Sequence, residues 1–357
     1  PGSGRGVMRI AVGTFTDGFM GGAPGEGIHF FEIDAQGGAA RQTSVVGGLN
    51  SPSYIARHPG LPLLYAAERA WTAEEKSEGA LVAIALDESG GPRVIDRRKS
   101  GGGFSAHVAV SPDGRFAALA NPLGPNIAVF PLAKDGLPGE PVSFAFAGQG
   151  PRPRQSAPWP HSCWFDPAAR RMIACDLGLD RLSIFDLAPD QPKVSPAAFA
   201  CAHVSSGAGA RHMAFRPDGR FCHVANELDG TISTFAIDAE RGTLTIVQTI
   251  ACAATPCQPC EIVCDAAGRF VYVTLRGPEA VGVYACDAET GCLTPLPAHS
   301  RLGDTPRHIA LPPDGRLALV SNQLSGQAPG FSIGRDGALT PNGLALSVPS
   351  PSCVVFV

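Results

Sequence analysis

Short apolar stretches separated by turn residues run through the whole chain. Residues 210–249 show the pattern most clearly: four apolar runs of five to eight residues read RHMAF, RFCHVAN, TISTFAID and LTIVQT. Between them stand PDG, DG and ERG, whose glycine, aspartate and proline residues favour tight turns. No run is long enough for an ordinary helix or keeps a 3.6-residue period. The pattern therefore predicts four antiparallel strands joined by short turns.

The four-strand unit repeats at a spacing of 47 to 55 residues. A period of roughly 40 to 50 residues with four strands per repeat is typical of a β-propeller. Residues 8–47 supply three strands of a further unit, and residues 351–357 (PSCVVFV) resemble the first strand that this unit lacks. The first turn of the complete repeats recurs at six places: Pro59, Pro112, Pro167, Pro217, Ala266 and Pro313.

The sequence therefore predicts an all-β fold: a seven-bladed β-propeller of four-stranded antiparallel blades, its ring closed by the C-terminal strand. Closing the ring in this way covers sheet edges that would otherwise be open. The single domain is expected to span residues 8–357, with residues 1–7 an expression remnant or a disordered N-terminus. The aspartates of the repeated PDG turns, Asp113, Asp218 and Asp314, are expected to cap those turns.

Composition and charge narrow the range of partners. The 357 residues are 44% apolar and carry a net charge of −4, so the chain has no basic footprint for nucleic acid. No apolar run approaches the roughly 18 residues of a membrane helix. The absence of a signal sequence and the scattered cysteines predict a cytoplasmic location. Monomer and dimer both remain open.

One group of cysteines has a spacing similar to an iron–sulfur pattern: Cys252, Cys257, Cys260 and Cys264. However, the last two fall on the predicted first strand of the sixth repeat, and a strand cannot fold around a cluster. We therefore expect no metal centre here and no cofactor.

Two longer loops interrupt the regular pattern. Residues 18–27 (GFMGGAPGEG) have the composition of a phosphate-binding loop, but no helix follows, so a flexible link between strands is expected. Residues 148–160 are rich in proline and lead directly into His161. This second segment is either a loose linker or a rigid loop over one face of the propeller.

Polar side chains are predicted to converge at one mouth of the central channel. The first strand of each blade lines the channel, and it begins at the face where the second strand ends. One position near the start of the first strand is held by Tyr54, His107, Ser162, His212, Glu261, His308 and Cys353. The residue before it is His161, Arg211 or Arg307 in three blades, and the ends of second strands add Glu68, Asp176, Asn226, Glu227, Arg276 and Asn322.

This concentration of polar residues favours a ligand site. Small or apolar residues would pack a channel better, because unpaired buried charges are costly. One alternative is a structural polar network around trapped water. Another is a metal ion held by the histidines of the ring together with Glu261.

Several motifs resemble a known family, the seven-bladed lactonase propellers that include bacterial 6-phosphogluconolactonase and fungal carboxy-cis,cis-muconate cyclase. The resemblance covers essentially the whole chain, and its most specific segments read GARHMAFRPDGRFCHVANEL, PHSCWFDP and CDLGLDRLSIFDL. It implies a catalytic site of one histidine, two arginines and one glutamate, which by motif are His161, Arg211, Glu227 and Arg276. Four further residues match family positions: His212, Glu261, Arg307 and His308. With Tyr54 and His107 from the ring, these are the predicted substrate-binding residues.

The predicted function is metal-free hydrolysis of a sugar-acid lactone, with 6-phosphogluconolactone as the leading substrate and this small molecule as the expected partner. Glu227 or His161 would be the base for water, and arginines would stabilise the oxyanion or bind an anionic group. The alternatives are an aldonic or aldaric lactonase, a carboxymuconate-type lactonising cyclase, and a non-enzymatic binding propeller. The last is disfavoured because only three Trp and four Tyr are present to form an interface.

Overall fold

Twenty-eight short strands make up the regular structure of the computed structural model, which describes residues 7–34, 39–69, 78–87, 91–188, 191, 193–300 and 303–357. They form seven antiparallel sheets of four strands each. This confirms the predicted all-β fold and seven-bladed propeller. Two short 3-10 segments, Phe19–Gly21 and Pro153–Gln155, lie in the two loops that interrupt the repeat. In the part of the chain that the structure describes, no helix is long and apolar enough to cross a membrane.

Each complete blade consists of four strands that are consecutive in sequence. The first three strands of the chain are β1 (Val7–Thr14), β2 (Ile28–Asp34) and β3 (Ala40–Val46). Blades 2 to 4 contain β4 (Pro52–Arg57), β5 (Leu63–Glu68), β6 (Ala80–Asp87), β7 (Gly91–Lys99); β8 (His107–Val110), β9 (Phe116–Asn121), β10 (Asn126–Pro131), β11 (Val142–Ala145); β12 (Pro160–Phe165), β13 (Arg171–Asp176), β14 (Arg181–Leu187), β15 (Val194–His203). Blades 5 to 7 contain β16 (Ala210–Phe215), β17 (Phe221–Asn226), β18 (Thr231–Asp238), β19 (Thr243–Ala251); β20 (Gln258–Cys264), β21 (Phe270–Arg276), β22 (Ala280–Cys286), β23 (Leu293–Ser300); β24 (Pro306–Ala310), β25 (Leu317–Asn322), β26 (Gln327–Ile333), β27 (Leu339–Ser347). The last strand is β28 (Pro351–Phe356).

The C-terminal strand closes the ring. β28 pairs with β1 in a sheet of order β28-β1-β2-β3, with Val354 opposite Val12. The closing strand takes the innermost place that the other blades fill with their own first strand, as predicted. β1 begins at Val7, one residue before the predicted start of the domain, whereas the expected N-terminal extension lies almost wholly outside the described residues.

Apolar contacts hold the blades together. Seven buried apolar clusters lie between neighbouring blades, one at each interface around the ring. Alternate residues of a strand face its two neighbouring blades, so runs such as Phe221–Asn226 are buried on both faces. This explains why the strands read as almost continuous apolar runs.

The turns form as their sequences predict. In the turn after β8, Asp113 accepts a hydrogen bond from the backbone N–H of Arg115 at 3.1 Å, and Gly114 adopts a φ of 71° that other residues rarely tolerate. Asp218 and Asp314 accept equivalent hydrogen bonds from the N–H two residues later. The predicted capping role of the three aspartates is confirmed.

Candidate active site

Bulges at the start of the inner strands expose consecutive side chains to the channel mouth. The register shifts between Pro160 and Ser162 in β12, between Ala210 and His212 in β16, and between Pro306 and His308 in β24. A bulge adds one residue to a strand and redirects its side chain. The bulged residues are His161, Arg211 and Arg307. Because of the bulges, Arg211 and Arg307 reach the same site as the histidines that follow them, His212 and His308.

These side chains surround a cavity of about 220 Å³ at the channel mouth. At about 30 Å³ per water molecule, it has room for roughly seven waters, the scale of one sugar ring. Of the ten predicted site residues, nine line it: Tyr54, His161, Arg211, His212, Glu227, Glu261, Arg276, Arg307 and His308.

His107 lies one layer below the cavity. Its ring packs 4.1 Å from the ring of Tyr54 and 4.5 Å from that of Trp164, and the residue is 1% exposed. His107 is therefore not part of the cavity wall, and its contact with the substrate stays a prediction. In the structure its ring supports the ring of Tyr54.

Two arginines share one carboxylate at the cavity floor. Oε2 of Glu227 lies 2.7 Å from Nε of Arg211 and 3.1 Å from Nη2 of Arg276. These contacts are off the N–H directions, so the two donors have no hydrogen-bond acceptor among the described residues. Nη1 of Arg211 donates to the carbonyl oxygen of Cys260 at 2.7 Å, which fixes the guanidinium plane. Arg211 and Arg276 therefore line the cavity as cations that share Glu227 as their counter-charge, and their donors without an acceptor are buried within the cluster.

The charges of the cluster shift the pKa values of its members. Burial opposes ionisation of Glu227, but the charges of Arg211 and Arg276 outweigh it and lower the pKa of Glu227 below its ordinary value. At neutral pH Glu227 is therefore a carboxylate held by two cations, which makes it a weak base. Burial, with Arg276 as a neighbouring charge, lowers the pKa of Arg307 to about 9.

Glu261 anchors a relay of two histidines. Its Oε2 lies 3.1 Å from Nδ1 of His212, and Nε2 of His212 lies 3.1 Å from Nδ1 of His161. The Tyr54 hydroxyl donates to the same oxygen at 3.2 Å, and Nε2 of His308 lies 3.6 Å away. The relay connects a fully buried carboxylate to an imidazole in the cavity wall.

The relay determines which nitrogen of each ring carries the proton. An ionised Glu261 can only accept, so His212 donates through Nδ1 and offers the lone pair of Nε2. His161 then donates through its Nδ1 to that lone pair. The lone pair on Nε2 of His161 is left for a ligand or a water molecule, as in networks in which a carboxylate sets the tautomer of a histidine.

Burial keeps these imidazoles neutral. Burial first, and the charge of Arg211 second, lower the pKa of His161 and His212 well below 6.5. Burial also lowers the pKa of His308 to about 4. Burial raises the pKa of Glu261, while His308 and Arg211 oppose that rise. The site therefore contains neutral bases beside fixed positive charge.

Arg69, which follows the second strand of blade 2, is a cavity residue that was not predicted from the sequence. Glu68 closes β5 but accepts the N–H of Asn50 at 2.8 Å and pairs with Arg97, so it supports the blade. The next residue, Arg69, lines the cavity. Within the repeat Arg69 corresponds to Glu227, since Glu68 and Asn226 are the paired ends of equivalent strands. Alignment of the repeats at that point would have identified Arg69.

The glycine-rich loop forms a wall of the cavity. Phe19 and Met20 of this loop line the cavity together with Phe15, which precedes the loop, and the backbone oxygen of Phe19 accepts a hydrogen bond from Gln323 at 2.7 Å. Gly18 and Gly21 have φ of 67° and 82°, which allow the chain to fold back at this point. The prediction of a flexible link missed this contact with the site, because composition does not show where a loop folds.

The proline-rich segment is an anchored loop. Gln155 is fully buried and donates through Nε2 to the carbonyl of Leu177 at 2.8 Å and to Oδ1 of Asp180 at 2.7 Å. The same segment places Arg154 over the ring of Trp159 at 4.1 Å, and both line the cavity. Of the two predicted alternatives, the structure supports the rigid loop.

Replacement of Gln155 by alanine is expected to lower the free energy of unfolding by about 2 to 3 kcal/mol and to raise KM, because the loop loses its buried anchor. Chemical denaturation and steady-state kinetics measure the two effects. Gln248 offers a matched control, since it bonds the backbone of Leu293 at 3.0 and 2.7 Å far from the cavity. Q248A should lose stability with unchanged KM. An unchanged KM in Q155A would show that the loop does not position the site.

The predicted metal alternatives find no matching geometry in the described part of the chain. No group of three or more His, Cys, Asp or Glu residues there is arranged to hold a metal ion. Cys260 and Cys264 lie on β20, as the repeat predicted.

Comparisons with known proteins agree with the geometry. A family model described as a lactonase with a seven-bladed β-propeller matches residues 9–356. A 6-phosphogluconolactonase from Bacillus subtilis is 30% identical over 355 residues, covering 97% of each chain. One from Formosa agariphila is 26% identical, covering 88% of this chain and 89% of the relative. The solved structure of a periplasmic gluconolactonase from Pseudomonas aeruginosa superposes with a TM-score of 0.89 at 28% identity, covering 98% or more of both chains.

Proposed function

This chain belongs to the lactonase family of seven-bladed β-propellers, and on that premise we propose that it hydrolyses a sugar-acid lactone, with 6-phosphogluconolactone as the leading substrate. The names of its relatives from Bacillus subtilis and Formosa agariphila support this substrate. The name of the Pseudomonas aeruginosa relative supports a related, unphosphorylated lactone.

The observation that carries the proposal is the presence of a neutral imidazole and two guanidinium groups in the wall of one cavity. Nε2 of His161 is left as an acceptor by the relay through His212, while Arg211 and Arg276 line the same cavity and share the single carboxylate of Glu227. Lactone hydrolysis needs these two functions: a base for water and hydrogen-bond donors for the oxygen that becomes negative.

His161 is the general base in this mechanism. Its Nε2 takes a proton from water as the water oxygen adds to the lactone carbonyl carbon, which gives a tetrahedral oxyanion and an imidazolium. The intermediate collapses when the bond from that carbon to the ring oxygen breaks. The imidazolium returns its proton to the leaving oxygen, which becomes the hydroxyl group of the product. One water is consumed, and the acid product loses a proton to solvent.

Arg211 and Arg276 stabilise the oxyanion. Their donors are already oriented before substrate binds, so no reorganisation is needed as the charge develops. Glu227 holds both guanidinium groups in place, and its lowered pKa makes it a poor choice for the base. Of the two bases predicted from sequence, the geometry favours His161.

We also propose a cytoplasmic location. All eleven cysteines lie within the described residues and none is in a disulfide, which is typical of a reducing compartment. The Pseudomonas aeruginosa relative is periplasmic by name, so the compartment can differ among proteins of this fold.

A panel of lactones tests the proposed function. The substrates are 6-phosphogluconolactone, gluconolactone, a glucaric acid lactone and a muconolactone, and acid release is measured against spontaneous hydrolysis. We expect kcat/KM in the enzyme range of about 10⁴ to 10⁸ M⁻¹s⁻¹ for the phosphorylated lactone. Prior dialysis against a chelator should leave the rate unchanged.

No hydrolysis above the spontaneous rate for any lactone would overturn the proposal. Formation of a lactone from a carboxymuconate would then support the cyclase alternative. Activity that disappears with the chelator and returns with added metal would replace the metal-free mechanism.

A further inference from the structure

Arg69 is a buried cation that the mechanism above does not use. It is 5% exposed, and its guanidinium carbon lies 3.7 Å from the ring centroid of Phe19 and 3.6 Å from that of Phe104. These two rings come from different blades, so the guanidinium is enclosed by two separate loops. Contacts of this kind orient an arginine but do not satisfy its N–H groups.

Two donors of Arg69 have no acceptor in the part of the chain that the structure describes. Nε and Nη1 are buried and make no hydrogen bond to any described residue. Among the described residues, Asp17 pairs with it only loosely, with Oδ2 3.9 Å from Nη1 and so beyond hydrogen-bond distance. The Arg69 side chain also lines the cavity, so a molecule bound there can contact its guanidinium group.

The backbone at Phe104 is strained and hydrogen-bonded to that of Arg69. Phe104 has a φ of 60°, a left-handed conformation that is unfavourable for a bulky residue, and its N–H donates to the carbonyl of Arg69 at 3.1 Å. Strain of this kind is concentrated at functional sites. Here it places the Phe104 ring against the guanidinium that faces the cavity.

The charge around Arg69 favours an anion. Arg307 packs on the same Phe19 ring, at 5.2 Å, and donates to Gln323 and Met20, so two guanidinium groups share this ring. Burial lowers the pKa of Arg69 to about 10. An anionic ligand would relieve this unfavourable burial, since a guanidinium fork matches the oxygens of phosphate or carboxylate.

The position of Arg69 relative to the catalytic cluster defines where the anion must be. The cluster comes from blades 4 to 6, which supply His161, Arg211, Glu227 and Arg276, whereas Arg69 follows β5 in blade 2. The two parts of the cavity wall therefore lie across the channel mouth from each other. A ligand that contacts both carries its negative group at the end remote from the lactone carbonyl.

We propose that Arg69 is the specificity-determining residue of this cavity and binds a phosphate or carboxylate at the end of the substrate remote from the lactone carbonyl. The inference rests on the proposed function and specifies its substrate class. 6-Phosphogluconolactone fits this description, because its phosphate is carried by a side chain outside the ring that contains the lactone carbonyl. The glycine-rich loop contributes through Phe19, which packs against the binding arginine rather than against the anion itself.

The test compares substrates within one variant. Arg69→Met keeps an apolar side chain that packs well between aromatic rings while it removes the donors. We expect the ratio of kcat/KM for 6-phosphogluconolactone over gluconolactone to fall about 10- to 100-fold, mainly through KM. A glucaric acid lactone separates the two anions: a parallel loss on this substrate indicates that a carboxylate is bound as well. Arg69→Lys, which keeps the charge without the planar fork, should lie between wild type and Arg69→Met.

A matched control is Arg220→Met. Arg220 also packs on a phenylalanine, with its guanidinium carbon 5.7 Å from the Phe221 ring, but it lies outside the cavity wall. Its substrate ratio should equal that of wild type. Thermal melting confirms that each variant is folded. An unchanged ratio in Arg69→Met, or an equal loss on every substrate, would overturn the proposal.

Binding of inorganic phosphate separates this proposal from the proposed function. Phosphate should raise the melting temperature of wild type more than that of Arg69→Met, whether or not any lactone is hydrolysed. If wild type hydrolyses no lactone, the proposed function fails and phosphate binding alone decides on Arg69. Equal stabilisation of both proteins, or of neither, would then reject Arg69 as the anion site.

Discussion

Replacing His161 by glutamine is expected to lower kcat for lactone hydrolysis by about 10²- to 10⁴-fold, with a much smaller change in KM. Glutamine can still hydrogen-bond to His212, whose Nε2 lies 3.1 Å from the present Nδ1. It has no lone pair basic enough to take a proton from water. The loss should therefore fall on the chemical step. Steady-state kinetics on the substrate that the lactone panel identifies measure it.

The pH dependence of kcat is an independent test of His161 as the base. The base acts when it is unprotonated, and burial with Arg211 holds the pKa of His161 well below 6.5. Wild-type kcat should therefore stay level through neutral pH and fall only when the pH drops through that lowered pKa. H161Q should lack this acid limb.

His58→Gln is the matched control. His58 is 7% exposed, and its Nδ1 accepts the N–H groups of Gly60 and Leu61 at 3.1 and 2.9 Å, outside the cavity wall. Its kcat should equal that of wild type once folding is verified. If H161Q retained the wild-type kcat, His161 would be excluded as the base and Glu227 would be the next candidate.

The architecture could be predicted from sequence because each repeat encodes it separately. Four apolar runs, PDG turns and the terminal PSCVVFV segment are all local signals, and the structure confirms the seven blades and the closing strand β28. Errors in one repeat are corrected by the other six. The location of the site at the channel mouth could be predicted from the same symmetry. This is why nine of the ten predicted site residues line one cavity.

The remaining parts of the site depend on departures from the repeat. Strict alternation would not allow Arg211 and His212 to reach the same cavity, and a bulge between Ala210 and His212 makes this possible. Arg69 follows the last residue of β5, at the position that Glu227 holds in blade 5, but only its neighbour Glu68 was identified from the sequence. Phe19 comes from a loop whose path no periodicity specifies. Each omission arises where the backbone leaves the regular pattern.

These departures from the repeat also help to concentrate positive charge in the cavity wall. Bulges supply Arg211 and Arg307, the position after the second strand supplies Arg69, and a strand end supplies Arg276. Within the cavity wall, Glu227 is the carboxylate that pairs with two of these four cations. A wall with this excess of positive charge matches a substrate that is anionic at one end and becomes anionic at the carbonyl during the reaction.

Replacing Glu227 by glutamine should lower the free energy of unfolding by about 3 to 5 kcal/mol, because it leaves two buried guanidinium groups without their shared counter-charge. Glu227 is 2.7 Å from Arg211 and 3.1 Å from Arg276, and all three side chains are at most 13% exposed. Arg307 lies near enough to add to the repulsion. Activity should also fall, since the oxyanion donors lose the group that holds them in place. Chemical denaturation and kinetics measure both effects.

The pH dependence of stability follows from the lowered pKa of Glu227. A group whose pKa is lower in the folded protein stabilises the fold above its ordinary pKa, and that contribution is lost as the pH falls through the folded value. Wild type should therefore lose stability on acidification, and E227Q should lose less. Glu32→Gln is the control, since Glu32 pairs with Arg41 at 2.6 Å on the surface and its loss should change stability by about 0 to 1 kcal/mol.

Inorganic phosphate distinguishes this explanation from a simple packing defect. If the defect of E227Q is uncompensated positive charge, phosphate should restore more stability to the variant than it adds to wild type, because an anion can take the place of the missing carboxylate. A packing defect would leave the two responses equal. A loss below 1 kcal/mol, with no extra response to phosphate, would contradict the view that Glu227 is the counter-charge that makes this cluster of arginines stable.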